Sequence, residues 1–138
     1  MSLTFMFVTS IILVMKKIIT AILSITYMIA TVYFYLRPGV LTFVVGSDKF
    51  LHFVGFFSGG VLLILISRIG ASRLNRLALG FFLVIGPLVL ESLQIISPYR
   101  QFDTLDILFN YLGWIVPATV FSIVERCMVL LKNRGSHG

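Results

Sequence analysis

The stretch DKFLHFVGFFSGGVLLILIS, residues 48–67, decides the fold class. From Phe50 to Ser67 it contains no aspartate, glutamate, lysine or arginine. Its length is close to the roughly 20 apolar residues that an α-helix needs to cross the hydrocarbon of a bilayer. Yet the stretch begins with Asp48, Lys49 and His52, whose side chains are costly to place in lipid. The pattern therefore predicts a membrane-spanning helix with a polar end.

Three further segments are long and apolar enough to be spans, so that the predicted spans cover about residues 18–36, 50–67, 77–96 and 105–131. The whole chain of 138 residues is 59% hydrophobic and only 12% charged. A soluble domain is about a quarter charged, so this chain has too few polar residues to cover a folded surface in water. We therefore predict an all-α, polytopic membrane protein: one domain that is a bundle of four transmembrane helices.

The ends of the chain are assigned separately from this bundle. Residues 16–132 form the predicted four-helix domain, and residues 133–138 form a cytoplasmic tail. Residues 1–15 are an N-terminal extension whose apolar part, residues 2–14, is too short to span and is expected at the interface. Met15 is an alternative initiator, because two lysines and an apolar run follow it. A signal peptide fits less well, since the run 18–36 is longer than a usual signal core and lacks a convincing cleavage pattern.

The basic residues predict the orientation. Eight of the eleven fall at one side of the membrane, namely Lys16, Lys17, Arg68, Arg73, Arg76, Arg126, Lys132 and Arg134. The other three are Arg37, Lys49 and Arg100. Because cytoplasmic loops carry the excess of lysine and arginine, both termini and the loop 68–76 are expected in the cytoplasm, and the loops 37–49 and 97–104 outside.

The net charge of +6 does not indicate nucleic acid binding. The basic residues lie between apolar runs and are not gathered on one face, so they fit topology signals and contacts with anionic membrane lipids better. A single cysteine, Cys127, excludes an internal disulfide and a multi-cysteine metal site.

Polar residues gather at the predicted outer ends of three spans, at helical spacings of three and four. Residues so spaced share one face of a helix, and such faces are costly against lipid but favourable against one another. We therefore predict an outward-facing pocket. Its candidate ligand-binding residues are Asp48, Lys49, His52, Glu91, Gln94, Arg100, Asp103, Asp106 and Asn110.

Structural interpretations of the same residues stay open. Asp48 and Asp103 fit N-terminal helix caps, and Lys49 fits a side chain that reaches the interface. Glu91 is the most deeply placed carboxyl group of the set and a functional candidate, or else half of a buried ion pair with Arg100 or Lys49.

Two other patterns have packing interpretations. Gly55 and Gly59 form a GxxxG motif, which permits close helix packing, either within the chain or in a homo-oligomer. Four tyrosines fit an interfacial aromatic belt better than a binding site: Tyr33, Tyr35, Tyr99 and Tyr111.

The ordered polar positions resemble those of a known family. The series is Asp48-Lys49-x-x-His52-Phe53, then Glu91-x-x-Gln94, then Arg100-x-x-Asp103-x-x-Asp106-x-x-x-Asn110-x-x-Gly113. Over residues 16–125 it resembles the VanZ-like family of bacterial membrane proteins, and the extension before Met15 is not part of that pattern. The resemblance implies a multi-pass cell-envelope protein of the bacterial cytoplasmic membrane, and no particular reaction. The family is named for a protein associated with resistance to the glycopeptide teicoplanin.

The leading functional hypothesis is a pocket that binds an envelope lipid, a cell-wall intermediate or a glycopeptide. The alternative is a membrane-embedded enzyme acting on such molecules. In that alternative the candidate catalytic residues supply a general acid and base, or hard oxygen ligands for a divalent metal. Those candidates are His52, Glu91, Asp103 and Asp106.

Two further interpretations remain. Glu91 and His52 could form a proton relay in a transporter, or the polar residues could serve only to fix the register of the helices. No recognised catalytic or phosphate-binding motif is present, so we assign neither a cofactor nor a metal site from the sequence.

Overall fold

The computed structural model describes residues 3–36, 47–96 and 102–135, which form four α-helices. They are α1 (Leu3–Leu36), α2 (Ser47–Ile69), α3 (Arg73–Gln94) and α4 (Thr104–Gly135). All four are long and apolar enough to cross a membrane. The predicted all-α fold of a multi-pass membrane protein is confirmed.

Helix α1 is longer than the predicted span. Residues 3–14 continue into the span 18–36 as a single helix of 34 residues. At 1.5 Å per residue this helix is about 50 Å long, compared with about 30 Å for the hydrocarbon of a bilayer. Lys16 and Lys17 therefore lie inside the helix and not at its start. The side chains of Phe5 and Met15 are both more than half exposed, so the first part of α1 packs little against the bundle.

The connection between α2 and α3 is tight. Gly70 has a φ of +95°, a conformation that side-chain-bearing residues rarely adopt. The backbone N–H of Ala71 donates to the Ile66 carbonyl at 2.9 Å, which closes α2 with the glycine C-cap expected of a Schellman motif. The Ser72 hydroxyl then accepts a hydrogen bond from the Asn75 backbone N–H at 3.2 Å and begins α3. As a result α2 and α3 run antiparallel.

Helices α2 and α4 form the most extensive contact among the described segments and run parallel. Lys49 contacts Asp106 near one end, and Arg68 contacts Glu125 at 2.7 Å near the other. Each of these pairs is separated by 57 residues in sequence, so the two helices keep one register along their length.

Glycines allow this close approach. A Cβ atom added at Gly60 would lie 2.8 Å from the Trp114 carbonyl oxygen, and one at Gly113 would lie 3.0 Å from the Phe57 backbone nitrogen. Gly59 faces the side chains of Tyr27 and Leu83, whereas among the described residues no side chain and no backbone of another helix lies within 4 Å of a Cβ placed at Gly55. The packing therefore uses Gly59 of the GxxxG motif inside the chain, together with two glycines outside the motif.

The interior is apolar near its middle and polar toward one end. Its buried apolar side chains include Phe56, Ile66, Leu79, Leu83 and Leu90. Helix α1 contributes hydroxyl groups to this interior, because Thr20 and Ser24 are fully buried and Thr31 nearly so. Each of these hydroxyls donates to a backbone carbonyl one turn earlier, which removes most of the cost of burying it.

Candidate functional site

Polar side chains meet where α2 and α4 begin and α1 and α3 end. The residues buried there, which we call the polar cluster, are Tyr35, His52, Glu91, Gln94, Asp106 and Asn110. None of the six is more than 8% exposed. Asp48, Lys49 and Asp103 lie at its rim and are partly exposed. The structure thus brings together the polar residues of α2, α3 and α4 that the sequence analysis grouped. Arg100, which was predicted to join them, lies outside the described residues.

Lys49 joins two carboxylates at the start of α4. Its Nζ donates to Asp103 Oδ2 at 2.6 Å and to Asp106 Oδ1 at 3.3 Å. The hydrogen bond from Lys49 holds the pKa of Asp103 below its ordinary value of 3.8, and a second bond from the backbone N–H of Leu105 acts in the same direction. The rim of the cluster therefore carries fixed charges that tie α2 to α4.

Glu91 connects the end of α3 to the start of α4. Its Oε1 accepts a hydrogen bond from the Asp103 backbone N–H at 2.9 Å, while its Oε2 has no partner among the described residues. Lys49, a partner considered for Glu91 from the sequence, is engaged by two aspartates instead. Glu91 is fully buried, and its electrostatic interactions include Asp48, Asp103 and Asp106.

Tyr35 brings α1 into the cluster. Its hydroxyl donates to Asn110 Oδ1 at 2.5 Å and contacts His52 Nδ1, and the tyrosine and histidine rings meet edge to face at 4.8 Å. The sequence interpretation placed Tyr35 in an interfacial belt, whereas the structure buries it to 8% exposure. It is therefore a site residue that the sequence analysis missed.

A signal for Tyr35 was present in α1. Five hydroxyl-bearing residues of that helix recur at spacings of three and four, which puts them on one face. They are Thr20, Ser24, Tyr27, Thr31 and Tyr35. Tyr27 lies about two helical turns before Tyr35 and makes a similar contact, donating to the Gly55 carbonyl at 3.0 Å. Because these five residues share one face of α1, that face is expected to turn toward the bundle, and Tyr35 with it.

His52 has two different surroundings. Its Nδ1 lies against Tyr35 and is 3.3 Å from Asn110 Oδ1. Its Nε2 lies 3.4 Å from Asp106 Oδ2 and 3.8 Å from Asp48 Oδ1. The predicted pairing of Asp48 with His52 across one helical turn is thus present. An imidazole held between a hydroxyl and two carboxylates can move a proton or donate its nitrogen to a cation.

Some polar atoms of the cluster are buried without a hydrogen-bond partner in the described part of the chain. They are Glu91 Oε2, Gln94 Nε2 and Asn110 Nδ2. Two open surface grooves lie elsewhere, one along α4 beside Trp114 and Arg126 and one beside Thr4 and Ser10 of α1. Neither groove includes residues of the cluster, so an outward-facing pocket at this site stays a prediction.

The fold and the cluster together define a class, a polytopic α-helical membrane protein with a buried polar cluster at one end of its bundle. Comparison of the chain with protein-family models, with curated proteins and with solved structures finds no match among them. Because a fold alone does not give a function, the function has to be argued from the cluster itself.

Proposed function

We propose that the polar cluster binds the hydroxyl-bearing head group of an envelope molecule, which is an envelope lipid, a cell-wall intermediate or a glycopeptide. The observation that carries this proposal is the set of unpartnered atoms. Buried polar groups in proteins nearly always have a hydrogen-bond partner, so these unpartnered atoms are candidates to hydrogen-bond a bound ligand. As a carboxylate oxygen Glu91 Oε2 accepts a hydrogen bond, whereas Gln94 Nε2 and Asn110 Nδ2 donate. A hydroxyl group does both.

The charges of the cluster favour hydroxyl groups over phosphate. Four carboxyl groups lie at this end of the bundle, those of Asp48, Glu91, Asp103 and Asp106, and Lys49 is the one lysine that the described residues place beside them. Within the described part of the chain acidic groups outnumber basic groups here, which disfavours a phosphate and suits sugar hydroxyls, whose hydrogen bonds a carboxylate accepts readily.

The distribution of basic residues supports an external position for the cluster. In the sequence, eight of the eleven basic residues fall on the side of the two termini and three on the other side, and this asymmetry favours an outward-facing cluster with both termini in the cytoplasm. A cluster at the outer end of the bundle lies at the depth of the lipid head groups. The resemblance to the VanZ-like family adds support for a cell-envelope ligand in the bacterial cytoplasmic membrane.

The test compares two substitutions of unpartnered amides at opposite ends of α3. Gln94→Met removes the amide in the cluster, and Asn75→Leu removes the equally unpartnered Asn75 amide at the other end. The purified proteins, reconstituted in nanodiscs, are titrated with a diglucosyl lipid, phosphatidylglycerol, a lipid-linked cell-wall precursor and teicoplanin. We expect one of the sugar-bearing molecules to stabilise the wild type and the Asn75 variant but not the Gln94 variant.

Two results would contradict the proposal. One is stabilisation by phosphatidylglycerol alone, since that lipid offers glycerol hydroxyls only with a phosphate attached. The other is an equal response of both variants to every molecule. Which of the three sugar-bearing molecules acts identifies the source of the head group.

A second candidate function, an enzyme acting on the same molecules, is favoured by one contact. The 3.4 Å approach of His52 Nε2 to Asp106 Oδ2, with Tyr35 on the other ring nitrogen, is an arrangement suited to general acid–base catalysis. Mass spectrometry of the titrated molecules after incubation decides between the two functions. Unchanged molecules that nevertheless bind exclude the enzyme and leave the binding function in place.

A further inference from the structure

We propose that Asp48, His52 and Asp106 hold a divalent transition-metal ion of the Zn²⁺ type. This inference concerns a cation and is tested separately from the head-group proposal. One donor atom from each residue, His52 Nε2 and a carboxylate oxygen of Asp48 and of Asp106, lies within 4.8 Å of the other two. The donors come from two helices whose relative register is fixed by the glycine contacts described above.

The orientation of the His52 ring suits a metal ligand. The single hydroxyl hydrogen of Tyr35 is donated to Asn110 Oδ1, so the Tyr35 oxygen is left to accept a hydrogen bond from His52 Nδ1–H. A proton on Nδ1 leaves the electron pair on Nε2, the nitrogen that faces Asp106 and Asp48. Metal-binding histidines commonly donate their other ring N–H to an oxygen acceptor in this way, which fixes both tautomer and ring orientation.

The buried carboxylates at this end of the bundle also favour a bound cation. His52 and Asp106 are each 96% buried, and the fully buried Glu91 has a carboxylate oxygen without a described partner. Glu91 interacts electrostatically with Asp48 and Asp106. A buried carboxylate is expensive unless a proton or a metal ion compensates its charge. Within the described part of the chain, the unpartnered Glu91 oxygen is an observation separate from the three donors, and a cation at this end of the bundle would compensate the Glu91 carboxylate.

The donor set favours Zn²⁺ over Mg²⁺ or Ca²⁺. An imidazole nitrogen with two carboxylates is a ligand set that Zn²⁺ accepts, while Mg²⁺ and Ca²⁺ prefer oxygen alone. Tetrahedral Zn²⁺ needs donors about 3.3 Å apart, given metal–ligand distances of about 2.0–2.2 Å. The His52–Asp106 distance of 3.4 Å already fits, and His52 Nε2 and Asp48 Oδ1, which are 3.8 Å apart, have to approach by about 0.5 Å.

The test measures binding of Zn²⁺ alone to the purified full chain after chelation. All proteins carry His137→Ala, so that His52 is the only imidazole in the chain. We expect one ion per chain. Asp48→Asn should weaken its affinity at least about tenfold, because a ligand is lost. Asp103→Asn removes a carboxylate of the same rim that is not in the donor set. Because Lys49 bonds both Asp103 and Asp106, both aspartate variants are made in a Lys49→Gln background, where Asp103→Asn should change the affinity less than about fivefold.

Lys49 supplies a variant that acts in the opposite direction. Its Nζ lies 3.3 Å from Asp106 Oδ1 and competes with a metal ion for that carboxylate. Lys49→Gln should therefore tighten Zn²⁺ binding. Imidazole ¹⁵N spectra should show metal on Nε2 and a proton on Nδ1 of His52.

The proposal is overturned if the parent chain binds no Zn²⁺, or if the two aspartate variants lose affinity equally, which would indicate general attraction of a cation to an acidic surface. Asp48 is 59% exposed, so its variant is expected to fold, and an unchanged unfolding temperature verifies this. Because no head group is present in the assay, its outcome is independent of the proposed binding function.

Discussion

Replacing Glu91 by glutamine should leave the protein at least as stable as the wild type. Glu91 is fully buried, its Oε1 accepts from the Asp103 backbone N–H at 2.9 Å, and Lys49 is engaged elsewhere. Glutamine keeps the accepting oxygen and nearly the same shape. A hydrogen bond to a charged group is worth about 1 kcal/mol more than a neutral one, and that difference is lost. Removal of a buried charge regains a desolvation cost of several kcal/mol.

The expected net change lies between zero and a gain of about 3 kcal/mol in the free energy of unfolding. Thermal unfolding in detergent measures it, since 1 kcal/mol shifts the midpoint of a domain of this size by about 3–5 °C. Glu125→Gln is the matched control: Glu125 is half exposed, pairs with Arg68 at 2.7 Å, and should lose less than about 1 kcal/mol. A clear fall in midpoint for the Glu91 variant would refute the reasoning, because it would mean that the carboxylate holds the bundle together through its charge.

Three further predictions concern other parts of the bundle. Tyr35→Phe should cost about 1–3 kcal/mol in the free energy of unfolding, measured by thermal denaturation, because it leaves two buried hydrogen-bonding partners unsatisfied. Gly113→Ala should destabilise by about 1–3 kcal/mol because its methyl group meets backbone atoms of α2, whereas Gly80→Ala, in open space, should be neutral or slightly stabilising in the same assay. The lowered pKa of Asp103 means that its interaction with Lys49 stabilises the fold above pH 3.8, its ordinary pKa, and is lost as the pH falls through the lower pKa of the folded state. A scan of unfolding midpoint against pH should show an acid decline that is smaller in Asp103→Asn.

The polar stripes on α2, α3 and α4 were predictable because each lies within one helix. Residues spaced by three and four lie on one face of a helix. A polar face is costly against lipid, so it is expected to turn toward the interior of the bundle. Asp48 with His52, and Asp106 with Asn110, follow directly from this argument.

Contacts between distant helices were not predictable in the same way. The approach of Gly113 to Phe57 depends on which helices become neighbours, and the pattern of one helix does not contain that information. The GxxxG motif pointed to Gly55, which has no close contact at its Cβ position. Tyr35 was misassigned because a tyrosine near a helix end suits the membrane interface as well as a buried hydrogen bond. The two lysines Lys16 and Lys17 suggested a boundary, but they gave no sign that residues 3–14 continue the same helix.

The order in which helices pair bears on how the protein is made. The two most extensive contacts join α1 to α3 and α2 to α4, so each helix has its main partner two helices along the chain. When α1 and α2 have been synthesised, Ser24 and His52 have no completed interior to enter. The main partners of α1 and α2 are α3 and α4, so the bundle cannot close before α4 is present. Closure of the bundle therefore requires α4, because in a chain that stops before α4 the His52 side chain lacks Asp106 and Asn110, which lie against it in the folded protein.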